Sequence, residues 1–303
     1  MAEPLRIGNV AVGGELGENP TLLIGSIFYQ GDKLLRSPAG DFDRGKAWEV
    51  VENAAALAGE YGLQFALDVI FPTVESVEKI LPFVAEFDTV LFLDSPEPGA
   101  RIRSYALAKE LGVESRVVAN GIDPYTSDEE LNVIKENGVK AAVLLVFDPK
   151  KPASLKPEDR VEIAVKQLLP KARKAELQVP LLDAVVIDPG SIILSAVAVK
   201  MLREQLKLPA GCAPANALGA ASRKRMGDEA LAVHSAVATL LRVYGADFIF
   251  YGPVKRIDLV APALAMVDGL LGYLLRTKGV KLGGKHPVRT LLRKVQQLFV
   301  ERG

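Results

Sequence analysis

Residues 116–148 read RVVANGIDPYTSDEELNVIKENGVKAAVLLVFD, and their reading decides the fold. RVVAN (116–120) is a short β-branched run, and a turn follows it. Ser127 with Glu130 three residues on reads as a capping box, opening a helix through Leu131 and Ile134. Gly138 ends that helix, at a position where the backbone needs positive φ. AAVLLVFD (141–148) is then a continuous apolar run rather than an alternating one, as strands covered on both faces read. Strand, helix and strand in this order make a βαβ unit and a parallel sheet.

The same unit repeats in both directions. Upstream lie TLLIGSIFY (21–29), QFALDV (64–69) and TVLFLD (89–94); downstream lie AVVID (184–188), GCAPAN (211–216) and DFIFYG (247–252). GCAPAN is rich in Gly, Ala and Pro and counts as a strand only because the pattern requires one there. Helices are expected over 43–61, with Trp48, Val51, Ala55 and Leu57 on one face, and over 74–86, with Val77, Ile80, Leu81 and Val84. Gly62, Gly112 and Gly245 repeat the helix-stop role of Gly138. Eight units in 303 residues predict one α/β domain over residues 1–303, a (β/α)8 TIM barrel. A doubly wound open sheet is the alternative, but QGDKLL after the first run is no glycine-rich phosphate loop.

The flanks add two expectations. RIGNVAVGGELG (6–17), within an N-terminal stretch 1–20, reads as a hairpin with Gly13-Gly14 near its turn, plugging the barrel floor. Residues 258–303 read as one or two helices, with Leu264, Val267, Leu270, Leu271, Leu274 and Leu275. That is more apolar surface than one barrel helix needs, so a homodimer interface is expected, unless this face only closes the outer ring.

Composition excludes several classes. Hydrophobic residues make up 49% and charged residues 24%, with 37 Lys+Arg against 37 Asp+Glu, an ordinary globular mixture without the basic excess of a nucleic-acid-binding surface. Cys212 is the lone cysteine, so no disulfide framework or cysteine-cluster metal site exists. His234 and His286 are too few for a three-histidine zinc site. MAEPLRIGNV has no apolar signal core and no run of about 18 apolar residues follows, so a cytoplasmic chain without a membrane span is expected. The basic stretch from Arg276 to Lys294 reads as a solvated helix face or as a docking surface for an acidic partner.

In such a barrel the chemistry sits at the C-terminal ends of the strands. The second run holds Asp68; the third to seventh end in Asp94, Asn120, Asp148, Asp188 and Asn216. Asp148 and Asp188 each precede proline, and an Asp-Pro step also starts turns or caps helices. Asp148 reads more as a loop residue, since KKPASLKP (150–157) follows Pro149. Together the set makes a polar pocket of acceptors and amides. It suits the aminopyrimidine edge of a pterin, whose adjacent N–H groups a carboxylate accepts side by side. A sugar or one Mg²⁺ would suit it too.

PTLLIGSIFYQGDK (20–33), FLDSPEPGARIRSYA (92–106), VVANGID (117–123), VIDPGS (186–191) and GCAPANALGAAS (211–222) resemble the H-subunit family of tetrahydromethanopterin S-methyltransferase and its bacterial relatives. The resemblance covers essentially the whole chain. More distantly, Asp94, Asn120, Asp188 and Asn216 fall where pterin-binding barrel methyltransferases carry Asp, Asn, Asp and Asn. It implies a methyltransferase that moves a methyl group between nitrogen-5 of methyltetrahydrofolate or methyltetrahydromethanopterin and cob(I)alamin on a corrinoid protein. Tetrahydrofolate would be the bound cosubstrate and cobalamin the partner's, with no metal held by this chain. Asn216 would carry catalysis as a hydrogen-bond donor to the leaving nitrogen. Asp94 and Asp188 would hold the ring, Asn120 its polar edge, and Asp68 would line the same pocket. A dihydropteroate-synthase-like transferase is an alternative; it would want basic residues near phosphates, for which Arg223 and Lys224 are the candidates. A non-catalytic folate-binding subunit is another.

Overall fold

A computed structural model of the chain describes residues 3–151 and 155–301. Residues 152–154, inside the stretch expected to be a loop, lie outside the described residues, as do the first two and last two. A two-stranded antiparallel sheet, β1 (Pro4–Ile7) and β2 (Val10–Gly13), comes first. Eight parallel strands then close a barrel: β3 (Leu22–Ile27), β4 (Gln64–Ile70), β5 (Val90–Asp94), β6 (Val117–Ile122), β7 (Ala141–Leu145), β8 (Val179–Asp183), β9 (Ala210–Cys212) and β10 (Phe248–Pro253). They neighbour in chain order, and β10 pairs with β3 to shut the ring. The predicted (β/α)8 barrel is the observed fold.

Helices return the chain between strands: α1 (Arg44–Tyr61), α2 (Val74–Val84), α3 (Pro98–Glu110) and α4 (Asp128–Glu136) after the first four. After β7, α5 (Pro157–Ile163) runs through one π-helical turn into α6 (Leu169–Lys174), and α7 (Ser191–Leu206) follows β8. Two single turns, α8 (Ala215–Leu218) and α9 (Arg223–Met226), precede α10 (Glu229–Val243). The chain closes with α11 (Ala261–Thr277) and α12 (Leu291–Val300). Among the described residues no helix is long and apolar enough to cross a membrane.

Five local expectations are corrected. AVVID (184–188) is not the sixth strand; β8 is VPLLD (179–183), and AVVID begins the loop after it. Pro180 misleads the reading, yet β8 opposes Ala142 with Pro180 near its start, where one missing donor costs the ladder little. GCAPAN yields only three strand residues, because Pro214 already adopts helical backbone and starts α8. The run ending at Asp148 leaves the sheet at Leu145. The hairpin turns at Gly8-Asn9, not Gly13-Gly14. On α1 the buried face is Ala47, Val51, Ala54 and Ala58, while Trp48 is partly exposed and packs on Phe87. The face predicted on α2, by contrast, is wholly buried.

The core has two layers. Outside the strands, apolar side chains fill the space beneath the helices. Inside the barrel, Leu22, Ile24, Phe92, Val118, Leu181 and Phe248 pack with Ile7, Val10 and Val12 of the hairpin, which therefore covers the floor. Gln64, the first residue of β4, pins it: its amide donates to Ala11 O at 2.8 Å and accepts from Ala11 N at 2.9 Å. Beside the floor, Arg242 donates to Asp268 at 2.6 Å and to Asn19 O at 2.9 Å, and Asp268 accepts from Thr21 N at 2.8 Å. Both charged partners are buried, so removing either one would strand the other at a cost of about 3–5 kcal/mol. Gly62 ends α1 at φ 74°; a Cβ there would meet the carbonyl carbon of His286 at 3.0 Å.

Candidate active site

The floor is filled, so the open end of the barrel is the other one, where the strands finish. A cavity of about 590 Å³ opens there. Asp68, Asp94, Asn120 and Asn216 all line it, joined by Ser26, Arg101, Glu130, Tyr125, Asp183 and Phe250. Strand pairing explains the cluster. Asp94 at the end of β5 stands opposite Asn120 on β6, and Asp68 on β4 stands opposite Ser26 on β3.

Asp68 is the hub. Its carboxylate accepts from Ser26 Oγ at 2.7 Å and from Asn120 Nδ2 at 3.0 Å. A carboxylate only accepts, so the Asn120 amide must turn its NH₂ toward Asp68 and keep its carbonyl oxygen for other partners. Burial pushes the Asp68 carboxyl up, and the two donors oppose that push. Asp94 is raised further, first by burial and then by the charge of Asp68, with Arg101 pulling the other way. Asp94 is therefore the member of the pair that keeps its proton, and a protonated carboxyl both donates and accepts.

Asp183 supplies a further carboxyl, pushed up to about 7 by burial, with Val185 N donating to it at 2.7 Å. Beneath it the buried Arg160 donates to Ala184 O and, at 3.0 Å, to Ser195 Oγ. Its Nε and Nη2 have no hydrogen-bond partner among the described residues, and burial lowers its pKa to about 10. On the opposite wall Arg101 grips Glu130 bidentately, at 2.7 and 2.8 Å, and donates to Ser95 O at 2.7 Å. The capping box is thus half formed. Ser127 accepts from Glu130 N at 3.2 Å, but the Glu130 side chain is spent on Arg101.

Asn216 sits in the first turn of α8, beyond the strand end, with its side chain at the exposed mouth. Its amide makes one long bond, 3.4 Å, to Val186 O. Asp188 does not line the cavity. It holds the turn that leads into α7 instead: Ser191 N donates to Asp188 Oδ1 at 2.7 Å while Asp188 N donates to Ser191 Oγ at 3.0 Å. The position expected of Asp188 is held by Asp183, five residues earlier. Asp148 accepts from Tyr125 Oη at 2.8 Å and Lys150 N at 3.0 Å, a turn-holding geometry. Arg223 pairs with Asp258 at 2.6 Å, and neither it nor Lys224 lines the cavity. Cys212 is buried in β9, which pushes its thiol well above the usual range and leaves it unreactive. Among the described residues no cluster of three or more His, Cys, Asp and Glu side chains is placed to hold a metal ion.

The sequence reading misses Ser26, Arg101, Glu130 and Asp183. Asp183 has a signal, since VPLLD ends as TVLFLD does. The Arg101–Glu130 pair has none, because its members lie 29 residues apart on different helices.

The family model described as tetrahydromethanopterin S-methyltransferase MtrH subunit matches residues 3–282. The H subunit of tetrahydromethanopterin S-methyltransferase from Methanosarcina acetivorans is 28% identical, over 95% of this chain and 97% of its own length. The protein of the same name from Methanothermobacter thermautotrophicus is 29% identical over the same shares, and that of Methanopyrus kandleri 29% over 88% and 89%. Among solved structures, dihydropteroate synthase of Yersinia pestis superposes with a TM-score of 0.58 at 12% identity, over 88% of this chain and 98% of that one. The Thermus thermophilus enzyme does so at 0.56 and 16%, over 88% and 99%. At such identities the likeness shows the barrel fold alone.

Proposed function

The chain belongs to the tetrahydromethanopterin S-methyltransferase MtrH subunit family and is a methyltransferase, and from that premise we propose that its cavity binds a methylated reduced pterin and passes the methyl group to cob(I)alamin carried by a separate corrinoid protein. The donor is methyltetrahydrofolate or methyltetrahydromethanopterin. One observation carries the reading: a single cavity gathers five carboxyls, three of them (Asp68, Asp94 and Asp183) raised by burial, and two amides, Asn120 and Asn216.

The reaction is a transfer of CH₃⁺. The bond between the methyl carbon and nitrogen-5 breaks, and its electron pair stays on nitrogen. Cob(I)alamin supplies the pair for the new cobalt–carbon bond, and the nitrogen takes a proton. The difficulty lies in the leaving group, an uncharged amine. This chain's residues act on that nitrogen and on the ring. Asp94, protonated, donates to one ring atom and accepts from its neighbour. Asp183 and the Asn120 carbonyl oxygen accept from ring N–H groups. Asn216 offers an N–H at the mouth, and such a bond strengthens as negative charge develops on the departing nitrogen. The mouth is open, which lets a corrin face approach.

Two further readings belong here. The exposed side chains of α11 support a homodimer. Cob(I)alamin is a strong reductant that lasts only in reducing surroundings, which supports a cytoplasmic site of action. The test of the main reading mixes the purified chain with each methylated pterin and chemically reduced cobalamin, and follows the cob(I)alamin absorbance. Loss of absorbance dependent on enzyme and donor is expected. A folded chain that produces none with either donor would overturn it.

A further inference from the structure

A second cavity, of about 350 Å³, adjoins the first, and Ser26 lines both. It lies between the loop after β3, the first half of α1 and the segment after β10. Its floor is apolar, formed by Ile27, Leu34, Val50 and Val254. Its rim carries three ammonium groups, Lys33, Lys46 and Lys255. The acidic residues on that rim are Asp32 and Glu49. Asp32 is already committed, since its carboxylate accepts from Phe28 N at 2.9 Å and Leu34 N at 3.1 Å. Lys46 lies 3.4 Å from Asp43, an exposed and therefore weak pairing. No ion pair engages Lys33 or Lys255 among the described residues.

An apolar slot ending in cations fits an aromatic ring followed by carboxylates. We propose that this second cavity takes the aryl-carboxylate tail of the reduced pterin, with its ring on Ile27, Leu34, Val50 and Val254 and its carboxylates against Lys33, Lys46 and Lys255. This rests on the proposed pterin reading of the first cavity and adds the part of the substrate that reading leaves unplaced. Ser26, which lines both cavities, marks the tail's path: with the ring system over Asp68 and Asp94, the chain leaves past β3. The lysines act as point charges that strengthen binding of a tailed substrate without touching the reacting atoms. Their effect falls with added salt, since they stand in solvent.

The experiment compares two ligands on two proteins. Calorimetry measures dissociation constants of tetrahydrofolate and of 6-methyltetrahydropterin, which has no tail, for the parent and for Lys33→Ala/Lys46→Ala/Lys255→Ala. Removing three exposed ammonium groups together should raise the tetrahydrofolate constant about tenfold and leave that of the tail-less pterin unchanged. The tetrahydrofolate difference should shrink in high salt. If the substitutions weaken both ligands equally, or neither, the tail site falls while the pterin reading stands. If the folded parent binds neither ligand, the tail site falls, and the pterin reading rests on methyltetrahydromethanopterin alone. A circular dichroism melt of the variant that matches the parent confirms that the comparison is between folded proteins.

Discussion

Asn120 Nδ2, on β6, donates to Asp68 Oδ1, on β4, at 3.0 Å, spanning the intervening strand β5 at the barrel mouth. That bond does two things at once. It holds a buried carboxylate in its charged form, and it fixes which end of the amide is left for a ligand. Asn120→Ala would leave Asp68 with Ser26 as its only side-chain donor among the described residues. Stability should drop by roughly 1–3 kcal/mol, the cost of an unsatisfied buried charged group, with the larger loss at higher pH, where Asp68 must ionise. Urea titrations at pH 5.5 and 8.5 measure both the loss and its pH trend.

Asp94 carries its own pH signature. Its carboxyl is raised in the folded chain, to about 8, from an ordinary unfolded value near 3.8. A raised group contributes stability that is fully present below the unfolded value and is lost as pH rises through the folded one. Asp94→Asn is neutral in both states and has no such loss. The melting temperature of the variant relative to the parent should therefore climb steadily between pH 5 and pH 8.5. A flat difference across that range would show Asp94 already ionised in the native protein.

Asn216→Ala should lower the single-turnover rate about 10²–10³-fold, as loss of a transition-state donor does, while raising the pterin dissociation constant only modestly. Asn216→Asp donates only when protonated, so its residual rate should rise as pH falls, more steeply than the parent's. Parallel rate–pH profiles would make Asn216 a residue that merely holds the turn over Val186.

Asp188 and Asp183 separate cleanly. Asp188→Ala removes the acceptor of Ser191 N in the turn before α7 and should cost about 1 kcal/mol of stability, with pterin affinity nearly unchanged. Asp183→Asn should weaken pterin binding about tenfold and flatten any pH dependence of that binding that comes from the Asp183 carboxyl, which burial pushes up to about 7. Paired thermal melts and calorimetry distinguish the two.

On α11, Leu264 and Leu275 are buried in the chain itself, whereas Leu270, Tyr273 and Leu274 are about half exposed, at 54%, 50% and 52%. The proposed dimer should use those three. Light scattering should give twice the chain mass for the parent and the single mass for Leu270→Glu/Leu274→Glu.

The barrel is legible because buried parallel strands leave unbroken apolar runs, as TVLFLD does, and because Gly62, Gly112, Gly138 and Gly245 do take positive φ where helices stop. The runs mislead where proline intrudes. Pro180 hides a real strand, and the neighbouring AVVID stands in for it. Four of the five proposed site residues line one cavity: Asp68, Asp94 and Asn120 need only their own strands to place them, and Asn216 only the helical turn that follows β9. Arg101 and Glu130 are not readable, because helix-borne residues meet only through the packing of α3 on α4. The long bond from Asn216 to Val186 is equally hidden, since it depends on where the chain leaves β9.

The clamp of Arg242 on Asn19 and Asp268, with Thr21 held by the same carboxylate, sets an order of events during synthesis. Asn19 and Thr21 leave the ribosome early, but α11 and its Asp268 come 247 residues after Thr21. The first barrel strand likewise waits for β10 as its partner. The seam between the chain's beginning and its end is thus the last part of the ring to be sealed. A nascent chain stalled before β10 emerges would hold an open sheet with an unpaired edge, the state most in need of a chaperone.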